Sequence, residues 1–216
     1  VADTLAASRR LRRQIDDAEL RPTLTSLLEN LATLPDLEKL LKFGLEEGGR
    51  VADRASSRLA GLRRECQDLR SKRLDRLEAI QIRYSHILQD KVIVHRHGRP
   101  TLSLKAGTVD QLQGLVHDSS ASGNTVFLEP QEVIAIGNRI TEIQSHILEE
   151  EQALLKVWSL AVGENFLLLD HLSKIMLHLD LALTRARYGN WLGGVPPILE
   201  EDHDAFRNKK FSYQKV

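Results

Sequence analysis

The sequence predicts a mainly α fold: a helical core plus a long antiparallel helix pair, a lever, capped by a small β unit of about four short strands. Three observations predict it. Two long segments carry narrow apolar stripes that step by three and four residues, the period of one helix face. Between them the period changes to two, in a stretch punctuated by turn residues. Aromatic residues make up only 5% of a chain that is 42% apolar, which suits thin helical seams better than a thick sandwich core.

Residues 1–54 read as a helical core segment. Leu24, Leu27, Leu28 and Leu31 share a face that stops at Pro35, where Asp36 is placed to cap the next helix. Leu37, Leu40, Leu41 and Leu45 carry that helix, and Gly48–Gly49 is its expected stop. Residues 55–90 are the ascending lever helix. Leu59, Leu62, Cys66 and Leu69 form one apolar run, and Leu77, Ile80, Tyr84 and Ile87 form a second. Between the runs the seam passes Arg73 with an additional four-residue step, like a coiled-coil stutter. A helix from Ser57 to Leu88 would reach roughly 45–50 Å at ~1.5 Å per residue.

Residues 91–129 form the small β tip. Val92–His95, Thr101–Leu104, Gly114–His117 and Asn124–Leu128 read as strands, with a turn at Arg96–Pro100. Together they carry too little apolar surface to stand alone. Pro130 opens the descending lever helix, residues 130–162, because a missing N–H costs nothing in the first turn. Its seam is Val133, Ile136, Ile140, Ile143, Ile147, Leu154 and Trp158. Gly163 marks a break or bend, and a core helix over 163–190 turns Phe166, Leu169, Leu172, Met176, Leu179 and Leu183 inward. Residues 191–216 read as a loop or tail.

Composition excludes several classes of function. Lysine plus arginine and aspartate plus glutamate each number 30, so no global field pulls the chain toward nucleic acid or an anionic membrane. Any such binding comes from local patches. Cys66 is the only cysteine, which rules out an intrachain disulfide and a cysteine-rich zinc site and fits a reducing compartment. No run of 18 apolar residues occurs, so no transmembrane helix and no membrane partner are expected. The N-terminus lacks both an initiating Met and a signal peptide's charged and apolar regions, so the chain is expected to begin within a longer protein.

The segment Gly114–Pro130, GLVHDSSASGNTVFLEP, is the most informative. Ser119, Ser120 and Ser122 can bond nearby backbone, Asp118 can close an Asx turn, and Gly123 permits positive φ. One reading is a hairpin turn held by its own side chains; the other is a contact surface at the tip of an arm. A hydrolase triad is disfavoured, because His117 and Asp118 are adjacent in a strand and point to opposite faces. His95 and His97 share a strand face, but a metal site would lack further ligands nearby. Basic clusters at Arg9–Arg13, at Arg70, Lys72, Arg73 and Arg76, and at Arg207–Lys210 are either solvated helical faces or phosphate contacts. No P-loop and no G-x-G-x-x-G occurs, and no carboxylate pair is set for acid–base work, so no catalytic residue, cofactor site or metal site is assigned.

Gly114–Pro130 closely resembles the signature G-I-V-H-D-x-S-x-S-G-x-T-x-F-x-E-P of the endonuclease MutS-two family. Gly49–Ser56 resembles that family's G-E-V-x-D-x-A-S, and Leu59–Glu65 its L-x-x-I-R-R-E. Gly98–Arg99 with Leu104–Lys105–Ala106 is similar to G-R-Y-V-L-P-V-K-A. Asn138, Glu149–Glu151 and Leu179–Tyr188 also fall in order, so the resemblance spans about residues 20–200. Arg50, Ser57, Pro100 and Ser103 depart from the usual residues.

The resemblance implies the core and lever region of a MutS-like ATPase with a C-terminal Smr domain, a hydrolase with Smr-associated endonuclease activity. This stretch would lack both domains and be no enzyme itself, with its tail leading into the ATPase domain. ATP and Mg would then bind in the ATPase domain and not here. The intact protein would be a homodimer in the cytoplasm, or in the plastid stroma of a plant. It would engage branched DNA, suppressing homologous recombination, or ribosomes (and so rRNA), rescuing collided ones, or both. The tip contacts would fall among Arg99, Lys105, His117, Asp118, Ser119, Ser122 and Gly123, with Arg70, Lys72, Arg73 and Arg76 as a basic patch. The alternative is a purely structural coiled-coil arm for spacing or dimerisation, with no nucleic-acid contact.

Overall fold

A computed structural model describes residues 1–14, 22–28 and 31–195. The chain is mainly α with one small antiparallel sheet. Its elements run α1 (Ala2–Gln14), α2 (Pro22–Leu28), α3 (Pro35–Gly44), α4 (Ser57–Arg83), β1 (Leu88–Arg96), β2 (Arg99–Lys105), β3 (Gly114–Ser119), β4 (Thr125–Pro130), α5 (Gln131–Glu164) and α6 (Phe166–Trp191). Two compact units result. Among the described residues, one comprises 1–6 and 34–166, the other 7–14, 22–28, 31–33 and 167–195.

In the first unit, α4 starts where Ser56 Oγ accepts the backbone N–H of Leu59, which relieves one orphan donor of the first turn. The same hydroxyl donates to Glu150 Oε1 on α5, 2.8 Å away. Further along, Arg139 meets Glu65, and Arg76 and Arg83 both meet Glu132. Numbers rise along α4 as they fall along α5, so the two helices run antiparallel. Their shared seam is apolar. Cys66, Ile140 and Ile143 are buried together, with Leu62, Leu69, Ile136 and Ile147 packed around them. Beyond the start of α4, Trp158 lies against Gly44 at the end of α3, where a Cβ would overlap the indole ring.

The sheet has strand order β1-β2-β4-β3, all antiparallel. β1 and β2 form a hairpin whose two central residues, His97 and Gly98, both have positive φ (51° and 76°), the requirement of a type I′ turn. The Leu102, Leu104 and Leu128 face of the sheet is buried with Leu77, Ile80, Ile87, Leu88, Leu112 and Val133. This cluster joins the end of α4 and the start of α5 to the strands, and supplies the apolar cover that four short strands lack by themselves.

Several local expectations change. Asp36 does not cap α3: Pro35 occupies the first turn and Leu34 is the cap, without a side-chain bond. α3 ends at Gly44, and Gly48 and Gly49, both at positive φ, instead serve the turn that pairs Leu45 with Val51. α4 ends at Arg83 rather than near Leu88. Pro130 is the last residue of β4 and the cap of α5. The break expected at Gly163 falls at Asn165, since a single helical glycine costs only ~1 kcal/mol and α5 runs one residue past it to Glu164. Leu24 and Leu28 fall on α2, while the side chain of Leu27 and the cluster Arg207–Lys210 lie outside the described residues.

In the second unit, buried Ser8 donates its hydroxyl to Ala32 O and Arg12 donates to Leu31 O. Leu172, Ile175 and Leu179 are the buried positions of α6. Phe166 and Leu183, expected inward, are exposed. The apolar positions of α6 run around most of its circumference, so spacing alone could not choose the inward stripe.

Ile80 has no exposed surface and sits where α4 meets the sheet. Replacing it with Ala should lower stability by about 2–5 kcal/mol through lost transfer energy and a residual cavity. Urea unfolding monitored by circular dichroism measures this, and an unchanged midpoint would contradict the packing described.

Candidate functional site

The strand–turn–strand segment 114–130 meets the helix pair at a buried polar layer. Glu129, on β4, is only 1% exposed. Its Oε2 lies 2.8 Å from His117 Nε2, and Oε1 lies 3.5 Å from Arg99 Nη1. A carboxylate only accepts, so the contact places the proton on His117 Nε2. Arg99 Nη2 in turn donates to Asn138 Oδ1 on α5 at 2.7 Å. Room for the guanidinium comes from Gly137, whose added Cβ would sit 2.5 Å from Arg99 Nη1 and 3.3 Å from Glu129 Oε1.

Each partner reaches this layer for a local reason. β3 changes register between Val116 and Asp118, so His117 occupies a bulge. A bulge re-aims its side chain, and here it aims inward at Glu129. Gly114 permits β3 to approach closely, since a Cβ there would overlap the Glu129 carbonyl and Leu128. Arg99 follows the tight turn at His97–Gly98. Arg73, on α4, lies within electrostatic reach of the layer from the other helix. It is half-buried, and that burial, with the like charges of Arg70 and Arg99, pulls its pKa below the ordinary arginine value, while Glu129 opposes the fall. Arg73 is the residue at which the apolar seam of α4 skips a step.

The outer side of the segment is different. Asp118 Oδ2 lies 3.3 Å from Arg96 Nε, and its Oδ1 accepts the N–H of Ser119. The Arg96 guanidinium stacks 4.2 Å above the centre of the Phe127 ring, within cation–π range. Ser120 Oγ accepts the N–H of Thr125 and Ser120 O accepts the N–H of Gly123. Gly123 has φ of 70°. Ser119, Ser122 and Gly123 are exposed. Lys105 Nζ donates to His86 O. Leu115 and Val116 are 52% and 48% exposed on the edge strand β3.

The residues singled out from sequence therefore separate into two sets. His117 and Arg99 belong to the buried joint; Asp118, Ser119, Ser122, Gly123 and Lys105 lie outside it. The basic patch also divides: Arg76 pairs with Glu132 at 3.0 Å, Arg73 faces the buried layer, and Arg70 and Lys72 are exposed. The His97 ring lies 6.5 Å from that of His117, and among the described residues no group of three or more His, Cys, Asp or Glu side chains is placed to hold a metal. Among the described residues, no helix is long and apolar enough to cross a membrane. Sequence reasoning passed over Glu129 and Gly137. The signal for Glu129 was a carboxylate at an inward position of a strand, beside the proline that ends it.

No family model matches the chain. It is similar to curated proteins named endonuclease MutS2 from several bacteria. Identity is 42% to that of Synechocystis sp., over 91% of this chain and 24% of the relative. It is 36% to that of Symbiobacterium thermophilum and 35% to that of Pelotomaculum thermopropionicum, over 92% and 93% of this chain. The chain spans about a quarter of the length of the relatives it matches.

Truncating Glu129 to Ala should cost about 3–5 kcal/mol, because Arg99 and Arg73 would remain close together without their shared counter-charge. Glu129→Gln, which keeps shape and hydrogen bonding, should cost less. Urea titrations of both variants test this, and equal losses would mean that the charge is irrelevant.

Proposed function

Since the chain belongs to the endonuclease MutS2 family, of whose members it covers about a quarter, we infer that it is the core and lever region of a MutS-like, ATP-driven clamp. In this reading α4 and α5 are the lever and the sheet is its working end, which engages branched DNA or a stalled ribosome. ATP and Mg bind in a separate ATPase domain, and the intact protein works as a homodimer.

One observation carries the reading. Glu129 ties β3 through His117 and the β1–β2 hairpin through Arg99, and Arg99 bonds in turn to Asn138 of α5. A working end attached to its arm by a single flexible link would lose a rotation of the arm in local bending. An end in which a buried carboxylate contacts two strands, and one of those partners hydrogen-bonds on to the helix, follows the arm as one body. Stiffness of this kind suits mechanical transmission, in which a small rotation at the base becomes a large displacement at the end.

The outward set supplies the contact surface: Asp118, Ser119, Ser122 and Gly123 of the turn, with Lys105 nearby. Arg99 and His117 act through the joint, orienting the hairpin rather than touching the target. The competing reading is a purely structural arm that sets spacing and touches no nucleic acid.

Replacing residues 115–128 by a short Gly/Ser linker in a full-length family member that carries this segment discriminates the two. Loss of binding to branched DNA or to ribosomes, with basal ATPase retained, is the expected outcome. Undiminished target binding would favour the spacer.

A further inference from the structure

Helix α6 carries two apolar stripes, and only one of them is buried. Leu172, Ile175 and Leu179 face inward. Leu177, Leu181, Tyr188 and Trp191 are 57%, 42%, 59% and 78% exposed, and Thr184 between them is exposed as well. At about 3.6 residues per turn, this second set lies on roughly the opposite side of the helix. Its steps run four, three, four and three, the spacing of a seam that packs against a partner helix. One and two turns earlier the same line holds Lys174 and Asp170, which pair with each other at 2.6 Å. The line therefore changes from charged to apolar at Leu177, and the seam has a definite start.

The far end of the seam is aromatic. The Tyr188 and Trp191 rings lie 5.9 Å apart, tilted at 39°. Single exposed leucines are ordinary, but a contiguous apolar line ending in paired aromatics marks a contact surface, and Tyr and Trp are the side chains that most often anchor one. Area and charge indicate what covers it. The seam presents on the order of 500 Å², taking about 200 Å² for a whole aromatic side chain, whereas a standard stable interface buries ~800 Å² on each partner. A separate molecule would find it small. A helix on the same polypeptide needs less, because its effective concentration is already of order millimolar, and this chain is about a quarter of the relatives it matches. Arg185 and Arg187 flank the seam, exposed and without an ion pair among the described residues. Two copies paired through the seam would set these arginines against each other, whereas carboxylates at the flanking positions of a different helix would satisfy them.

We propose that the Leu177–Trp191 face of α6 is a docking seam for an amphipathic helix from the remainder of the same polypeptide, one with apolar residues at heptad spacing and acidic residues along its edges. The seam rests on membership of the family and stands whether or not the sheet engages any target.

The test is alkylation by a maleimide, read by mass spectrometry, of Leu181→Cys placed in this chain and in a full-length family member that carries it. Cys66 is buried, so position 181 supplies the exposed thiol of the chain. Labelling in the full-length protein should be slower by about tenfold or more, because the thiol is then reached only through local opening. Thr184→Cys repeats the measurement with a smaller change to the seam, and circular dichroism confirms that each variant folds. Adding Arg185→Glu and Arg187→Glu should bring the full-length rate back toward that of the chain. Equal rates in the two proteins would overturn the docking seam. Slow labelling in the chain by itself would do the same, and a rate that falls as its concentration rises would identify a second copy as the occupant. A charge reversal without effect would overturn the acidic edges.

Discussion

A carboxylate that is almost wholly removed from water has to be compensated by groups that come to it, and Glu129 draws its partners from β2 and β3 directly and from both long helices in the second rank. The apolar seam between α4 and α5 would otherwise tolerate a slip of one turn, because Leu and Ile positions recur on both sides of it. A slip would move Gly137 and Asn138 away from Arg99 and Glu129 and leave the charge uncovered. Buried ion pairs contribute little net stability after desolvation, and their best-attested use is to fix register. That use fits a layer placed between two apolar clusters, one centred on Cys66 and Ile143, the other on Ile80 and Leu102.

Net neutrality at the level of composition conceals local sorting. Acidic side chains of α5 are matched to basic ones of α4 along the pair, with Glu132, Glu150 and Glu151 each taken by an arginine. Exposed pairs of this kind are each worth only ~0–1 kcal/mol, so their contribution is to helix direction and pairing more than to stability. The matching is incomplete on α4, where Arg64 and Arg70 form no ion pair among the described residues. A charge count over the whole chain could not reveal this, because the acids that balance the total sit on other faces.

Periodicity carried the architecture. Steps of three and four from Leu59 to Ile80 and from Val133 to Trp158, and the change to period two between them, were enough to place two long helices and four strands. The stutter at Arg73 was visible as an anomaly, but its meaning was not. His117 reaches Glu129 across 12 positions of the chain, and Arg99 reaches Asn138 across 39; convergence over such separations has no local signature. The inward turn of His117 was hidden for a related reason. Strict alternation puts His117 and Asp118 on opposite faces, and only the bulge in β3, which depends on its pairing with β4, decides which face is which. In α6 the difficulty was the reverse: apolar residues on several sides left the buried stripe undetermined.

The two long helices do not enter the sheet in the same way. β4 ends at Pro130 and α5 begins at Gln131, with no residue between them and Glu129 anchored one position earlier. On the other side four residues, 84–87, separate α4 from β1. The strands therefore take their direction from α5 without an intermediary, and the α4 side is held instead by the burial of Ile87 and by its carbonyl, which accepts the N–H of Lys105.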